Sequence, residues 1–301
     1  MTTDQLQSAT YSGEVAVRRR RGWWWKTLLV GLLLWAATVG VTFLTLNVNL
    51  VPTVILLGSL LVPFSAALFV AERVHGLGVG AIPVTFAIAG ICGVLGASLL
   101  ESNLAATPWI YVLVGFIEEF VKLVLLVIVG WRVVPKSAVQ GVLLGVVVGA
   151  GFAGFESAGY AFTAAITSDG IDVLGAVQTE AIRALLSPVG HMLWTGIVGA
   201  ALFGVAAGRA RFRFSPLILV AFVGASLLHA LWDSLGTISS YLALLVSGMA
   251  LFDLQYRGGL PPDLAADVTM RSLIFYIIGL VIASALGVGA LLVQLRVHRT
   301  P

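Results

Sequence analysis

The chain has 301 residues, 59% of them hydrophobic and 10% charged, far below the roughly 25% charged content of a water-soluble domain. A mean hydropathy of +1.04, with apolar runs of about 20 residues recurring along the chain, excludes a soluble core and makes the membrane domain the whole protein. The net charge of +3 comes from short basic clusters between apolar runs, which reads as orientation in a bilayer and excludes nucleic acid as a partner.

In chain order, residues 1–26 form a polar segment that ends in Arg18 to Arg21, Gly22, Trp23 to Trp25 and Lys26. Tryptophans beside a basic cluster suit the headgroup layer, and the long apolar run that follows reads as a retained helix and not as a cleaved signal. Residues 27–108 hold three spans, at 27–46, 51–70 and 81–100. Residues 109–235 hold four more, at 109–130, 138–162, 187–207 and 216–235. Residues 236–301 hold a weak span near 238–254, a final one at 272–294 and a tail. Apolar runs of this length match helices, because in lipid every backbone polar group must be satisfied internally. The fold class is therefore all-α, a polytopic transmembrane helix bundle of eight or nine spans. Gly141 to Gly154 fit close helix packing through small residues. The single Cys92 has no second cysteine for a disulfide or a CxxC site.

With the N-terminus placed in the cytoplasm, the inward loops through the seventh span carry Arg18 to Arg21, Lys26, Arg73, Arg132, Lys136, Arg209, Arg211 and Arg213, and the outward loops carry only Arg183. That asymmetry satisfies the positive-inside rule and predicts a multi-pass protein of the cytoplasmic (plasma) membrane. Glu101, Asp169 and Arg183 then fall in outward loops and read as solvated. His75 and His298 fall in cytoplasmic or tail segments.

Ionisable groups inside spans cost about 2.5 to 3.5 kcal/mol each, which makes them functional candidates. Four consecutive spans carry them: Glu118, Glu119 and Lys122; Glu156; His191; and His229 with Asp233. At about 1.5 Å per residue, Glu118 lies roughly 13 Å, Glu156 about 9 Å, His191 about 6 Å and His229 about 9 Å below the outer surface. One shared site in the outer half of the bilayer follows. Glu118 and Glu119 point about 100° apart, so one glutamate faces the site as general base while the other pairs with Lys122. Glu156, His191 and His229 supply a carboxylate and two imidazoles, a ligand set for one catalytic zinc ion with an open water position. Asp233, one turn from His229, orients that imidazole, ligates the metal or helps hold the oxyanion.

At these residues the chain resembles the PrsW family of intramembrane proteases, and more distantly the CAAX prenyl endoproteases. The match is to EExxK as Glu118-Glu119-Phe120-Val121-Lys122, FxxxE as Phe152 to Glu156, Pro-x-x-His as Pro188 to His191, and HxxxD as His229 to Asp233. The resemblance covers roughly residues 109–235. It implies cleavage of a peptide bond in or near the membrane, with water activated by the glutamate pair, and a membrane protein substrate of the anti-sigma-factor kind. The prenyl endoproteases have His where this chain has Glu156 and typically Asn where it has Asp233, which argues against prenylated substrates.

Each motif also has a plainer meaning: Glu119 with Lys122 as a packing ion pair, His191 as a solvated interfacial histidine, Asp233 as a helix cap. The set is a costly way to hold helices together. A proton-coupled transporter is the alternative from another class, disfavoured because spans one to three carry no counterpart of the charged elements. An inactive scaffold ranks behind it.

Overall fold

The structure, a computed structural model, describes residues 22–74, 80–105, 107, 109–248 and 262–298. Its elements are α1 (Trp23–Thr45), a 3-10 turn (Val48–Leu50), α2 (Val51–Ala71), α3 (Ala81–Glu101), α4 (Ile110–Gly130) and α5 (Ala138–Ala165). A minimal hairpin, β1 (Ile166–Thr167) and β2 (Gly170–Ile171), leads into α6 (Val173–Leu186), a 3-10 turn (Ser187–Val189), α7 (His191–Val205), α8 (Pro216–Val246) and α9 (Pro262–Val297). The hairpin is antiparallel, with Ile166 opposite Ile171 and Thr167 opposite Gly170. Arg18 to Arg21, His75, Arg257 and Arg299 lie outside the described residues.

Among the described residues, seven helices are long and apolar enough to cross a membrane, against the eight or nine expected. The protein is an integral, multi-pass membrane protein. α4 has 21 residues, enough to span at 1.5 Å each, but Glu118, Glu119 and Lys122 take it out of a purely apolar count. The weak span near 238–254 is not a separate helix up to Ser247, because α8 runs unbroken for 31 residues to Val246; the rest of that segment lies outside the described residues. At about 46 Å, α8 exceeds the roughly 30 Å apolar core of a bilayer.

α5 is the central element. It has 28 residues, is buried from Gly141 to Gly154 with one break at Val142, and touches α2, α3, α4, α6 and α7. Its seam with α7 has glycine at every fourth position. A Cβ at Gly141 would overlap the carbonyl of Gly199, one at Gly145 the carbonyl of Thr195, and one at Gly149 the carbonyl of His191. The two backbones therefore meet directly, which is how small residues pack helices in lipid.

Local chemistry starts and stops the helices. Ser137 Oγ accepts from Gln140 N at 3.3 Å to cap α5, and Ser215 Oγ accepts from Leu217 N at 3.3 Å to cap α8, where Pro216 opens the first turn. At the far end of α5, Asp172 Oδ1 accepts from Gly175 N at 2.9 Å and caps α6. Residues 163–186 are thus largely helix and hairpin, not an outward loop. Pro188, which has no N–H, and Gly190, with φ −98° and ψ −122°, break the chain between α6 and α7.

Candidate active site

Helix periodicity assembles the first part of the site. Lys122 lies three residues after Glu119 and four after Glu118, so both carboxylates reach one ammonium. Lys122 Nζ donates to Glu118 Oε2 at 3.1 Å and to Glu119 Oε1 at 2.9 Å. The expectation that only one glutamate would pair with Lys122 fails for this reason: a long lysine bridges positions 100° apart. The ammonium is fully buried and sits 3.9 Å above the Phe152 ring, so the first residue of the FxxxE element covers the cation of the EExxK element.

The break at Pro188 to Gly190 makes His191 the first residue of α7. Its Nδ1 lies 2.7 Å from Lys122 Nζ and its Nε2 lies 3.0 Å from Glu156 Oε2. An ammonium has donors only, so Nδ1 accepts and Nε2 carries the hydrogen that it donates to Glu156. His229, buried on α8, stacks on Trp194 at 4.5 Å between ring centroids. Its Nδ1 is 3.2 Å from Glu119 Oε1, while its Nε2 is 3.6 Å from Glu118 Oε2 and 3.3 Å from Asp233 Oδ2.

All six residues expected in one site, Glu118, Glu119, Glu156, His191, His229 and Asp233, meet around Lys122. Glu118 Oε2 lies 3.9 Å from His191 Nδ1. Glu118, His191 and His229 each offer a ligand atom, all within 4.8 Å of one another, close enough to hold a metal ion. The carboxylate in that trio is Glu118; Glu156, placed among the ligands from sequence, instead takes the outer nitrogen of His191 and the guanidinium of Arg183. The donor set, one carboxylate and two imidazoles, fits a divalent metal, which would take the Nδ1 lone pair of His191 in place of the Lys122 ammonium. Four carboxylates, Glu118, Glu119, Glu156 and Asp233, gather around two lysine or arginine side chains, Lys122 and Arg183, so acidic groups outnumber the basic side chains paired with them in a mostly buried cluster. Glu119 Oε2 is also buried without a hydrogen-bond partner, which invites a further donor or ion.

Two cavities open onto the cluster and share Glu156, Tyr160 and Asp233. One, of about 310 Å3, adds Arg183, His191 and Tyr276; the other, of about 560 Å3, adds Glu101, Tyr111 and Glu118. Glu118 therefore meets open space, whereas Glu119 and Lys122 lie behind it.

Residues 73–255, more than half of the chain, match the description "PrsW family intramembrane metalloprotease". The chain belongs to the PrsW family. It is a membrane protease, and its substrates are membrane-embedded. Neither a curated protein nor a solved structure matches it.

Several residues around this PrsW site were not expected there. Arg183, read as solvated, donates through Nη2 to Glu156 and through Nε to Ser157 Oγ at 2.9 Å, and lies over the Tyr160 ring at 4.1 Å. The signal for it was Asp172, a helix cap ahead of a stretch whose buried Ala176 and Glu180 are four apart. Glu101 lines a cavity, and Tyr276 brings α9, which carries no motif, to the cavity wall. His298 packs against Gly204, about 20 Å along α7 from His191, and takes no part in the cluster.

Proposed function

We propose that the chain is an intramembrane endopeptidase that hydrolyses a peptide bond of a membrane-associated protein, with Glu118 as the group that takes a proton from water. The observation that carries this is the convergence of Glu118, Glu119, Lys122, Glu156, His191, His229 and Asp233 from four helices on one cluster open to two cavities. Glu118 is the member of the glutamate pair that lines a cavity, so it can reach water and substrate. A buried carboxylate beside one ammonium takes a proton from water and returns it to the leaving amine. Glu119 stands behind it, holding Lys122 and facing His229. Asp233, which lines both cavities, orients His229 through Nε2.

Glu118, His191 and His229 are the residues that would hold one zinc ion, and a zinc ion there would lower the pKa of its water and polarise the scissile carbonyl. A carboxylate has two oxygens, so Glu118 can serve a metal with one and a proton with the other. Glu156, off the trio, keeps the imidazole of His191 in place.

We take the substrate to be a membrane protein of the anti-sigma-factor kind, reached from the outer half of the plasma membrane with the N-terminus in the cytoplasm. The test is proteomics of membranes carrying the wild type or Glu118→Gln. A membrane-protein fragment present only with the wild type is expected; identical fragment sets would overturn the reading. Reporters fused after Lys136 and Ser168 should fall on opposite sides.

A further inference from the structure

We infer that Arg183 is a positioning residue: its guanidinium holds the Glu156 carboxylate on Nε2 of His191 and so keeps the Nδ1 lone pair of that imidazole turned toward Lys122, on the side where Glu118 and His229 lie. This rests on the reading of His191 as a working member of the site.

The geometry is a short relay. One oxygen, Glu156 Oε2, accepts from both Arg183 Nη2 and His191 Nε2. Two acceptances on one atom fix its place between α6 and α7. Among the described residues Arg183 is the lysine or arginine that pairs directly with Glu156. Without it the carboxylate, which lines both cavities, is free to swing into either of them and release the imidazole.

Arg183 is itself held. Ser157 Oγ takes its Nε at 2.9 Å and the Tyr160 ring lies 4.1 Å beneath it, so two more residues of α5 fix the plane of the fork. Three residues earlier, Glu180 is buried and accepts from Trp35 Nε1 at 3.0 Å, tying α6 to α1. A side chain anchored in this way belongs to the scaffold of the site, not to a surface that samples solvent. The fork geometry also matters, because a guanidinium can serve Ser157 and Glu156 at once and an ammonium cannot do so in the same plane.

The full chain has four histidines, so nitrogen-15 histidine labelling in detergent gives few signals, and His191→Ala assigns its own. In wild type, His191 is expected as a single tautomer, protonated on Nε2 and bare on Nδ1. In Arg183→Gln Nδ1 stays bare against Lys122 while the Nε2 signal should shift and broaden as Glu156 is released, kcat should fall with KM little changed, and zinc affinity measured against a chelating dye should drop about 10- to 100-fold. Arg183→Lys should recover part of each. Ser157→Ala, which loosens only one side of the fork and changes little volume, should move all three readouts in the same direction and serves if Arg183→Gln does not fold. An unchanged Nε2 signal in these variants, or a raised KM with unchanged kcat and zinc affinity, overturns the inference and makes Arg183 a substrate contact. Wild-type cleavage by His191→Ala would instead overturn the reading of the site on which it rests.

Discussion

Lys122 Nζ lies closer to Nδ1 of His191, at 2.7 Å, than to either glutamate of its own helix, at 2.9 and 3.1 Å. The ammonium thus joins α4 to α7 and helps decide which imidazole nitrogen is bare. It divides the glutamates by environment, since Glu118 meets a cavity and Glu119 is enclosed with one oxygen unpartnered.

Glu118→Gln is expected to lower cleavage by about 10² to 10⁴ with a smaller loss of stability than Glu119→Gln, because Gln keeps the size and removes the base, and water in the cavity beside position 118 can make up the lost contact with Lys122. Glu119→Gln should show first as instability, since it takes a partner from a fully buried ammonium. Breaking a buried pair costs about 3 to 5 kcal/mol, and the lower end applies here because Glu118 remains. Product formation and detergent melting of both variants check the division. Full cleavage by both would sink the glutamate mechanism, and substrate-driven proton flux would favour a transporter.

Purified wild type should carry about one zinc per chain, lost together with activity on chelation. His191→Ala, His229→Ala and Glu118→Ala should each lose the metal. Glu156→Gln should retain it with affinity lowered about 10- to 100-fold, as for an outer carboxylate that orients a histidine. Elemental analysis of the four variants settles which carboxylate is a ligand.

Gly149→Ala should be severe, because the added methyl overlaps the His191 carbonyl. A backbone cannot yield as a side chain can, so the cost should reach about 1 to 3 kcal/mol or more, with loss of activity. Gly159→Ala, on the same helix with nothing within 4 Å of the added methyl, should stabilise by about 0.5 to 1 kcal/mol. Equal melting temperatures for the two variants would contradict direct backbone contact between α5 and α7.

Glu180 is buried with one oxygen unpartnered and with no lysine or arginine in salt-bridge contact among the described residues. Glu180→Gln should leave the melting temperature unchanged or raise it, because the amide oxygen still accepts from Trp35 and no charge needs burying. Glu180→Ala, which frees the indole N–H and opens a cavity, should lower it. The opposite order would mean that the carboxylate is charged and compensated.

The motif residues on α4, α5, α7 and α8 were legible because lipid makes each ionisable group conspicuous, and helix rise, with directions taken from loop charge, put Glu118, Glu156, His191 and His229 at similar depth. Gly141 to Gly154 likewise announced close packing. Which side chains meet was harder to read. Spacing permits Lys122 to serve Glu118 or Glu119, and only the fold shows that one ammonium serves both. α6 was missed because its 14 residues are too short and too polar to register as a span. Arg183 was lost with it, since an arginine in a presumed loop carries no cost. Glu101 and Tyr276 were invisible for another reason: nothing in their neighbours' spacing says that two cavities would open beside them.

The seam of Gly141, Gly145 and Gly149 leaves α5 and α7 no room for even one added methyl, whereas the cavity walls contributed by α3, α6 and α9 are built from side chains of many sizes. Descendants of this chain can therefore explore new substrates cheaply by redecorating those walls, Arg183 excepted. The axle that carries Glu156 and His191 is effectively frozen, so diversification should leave its chemistry untouched.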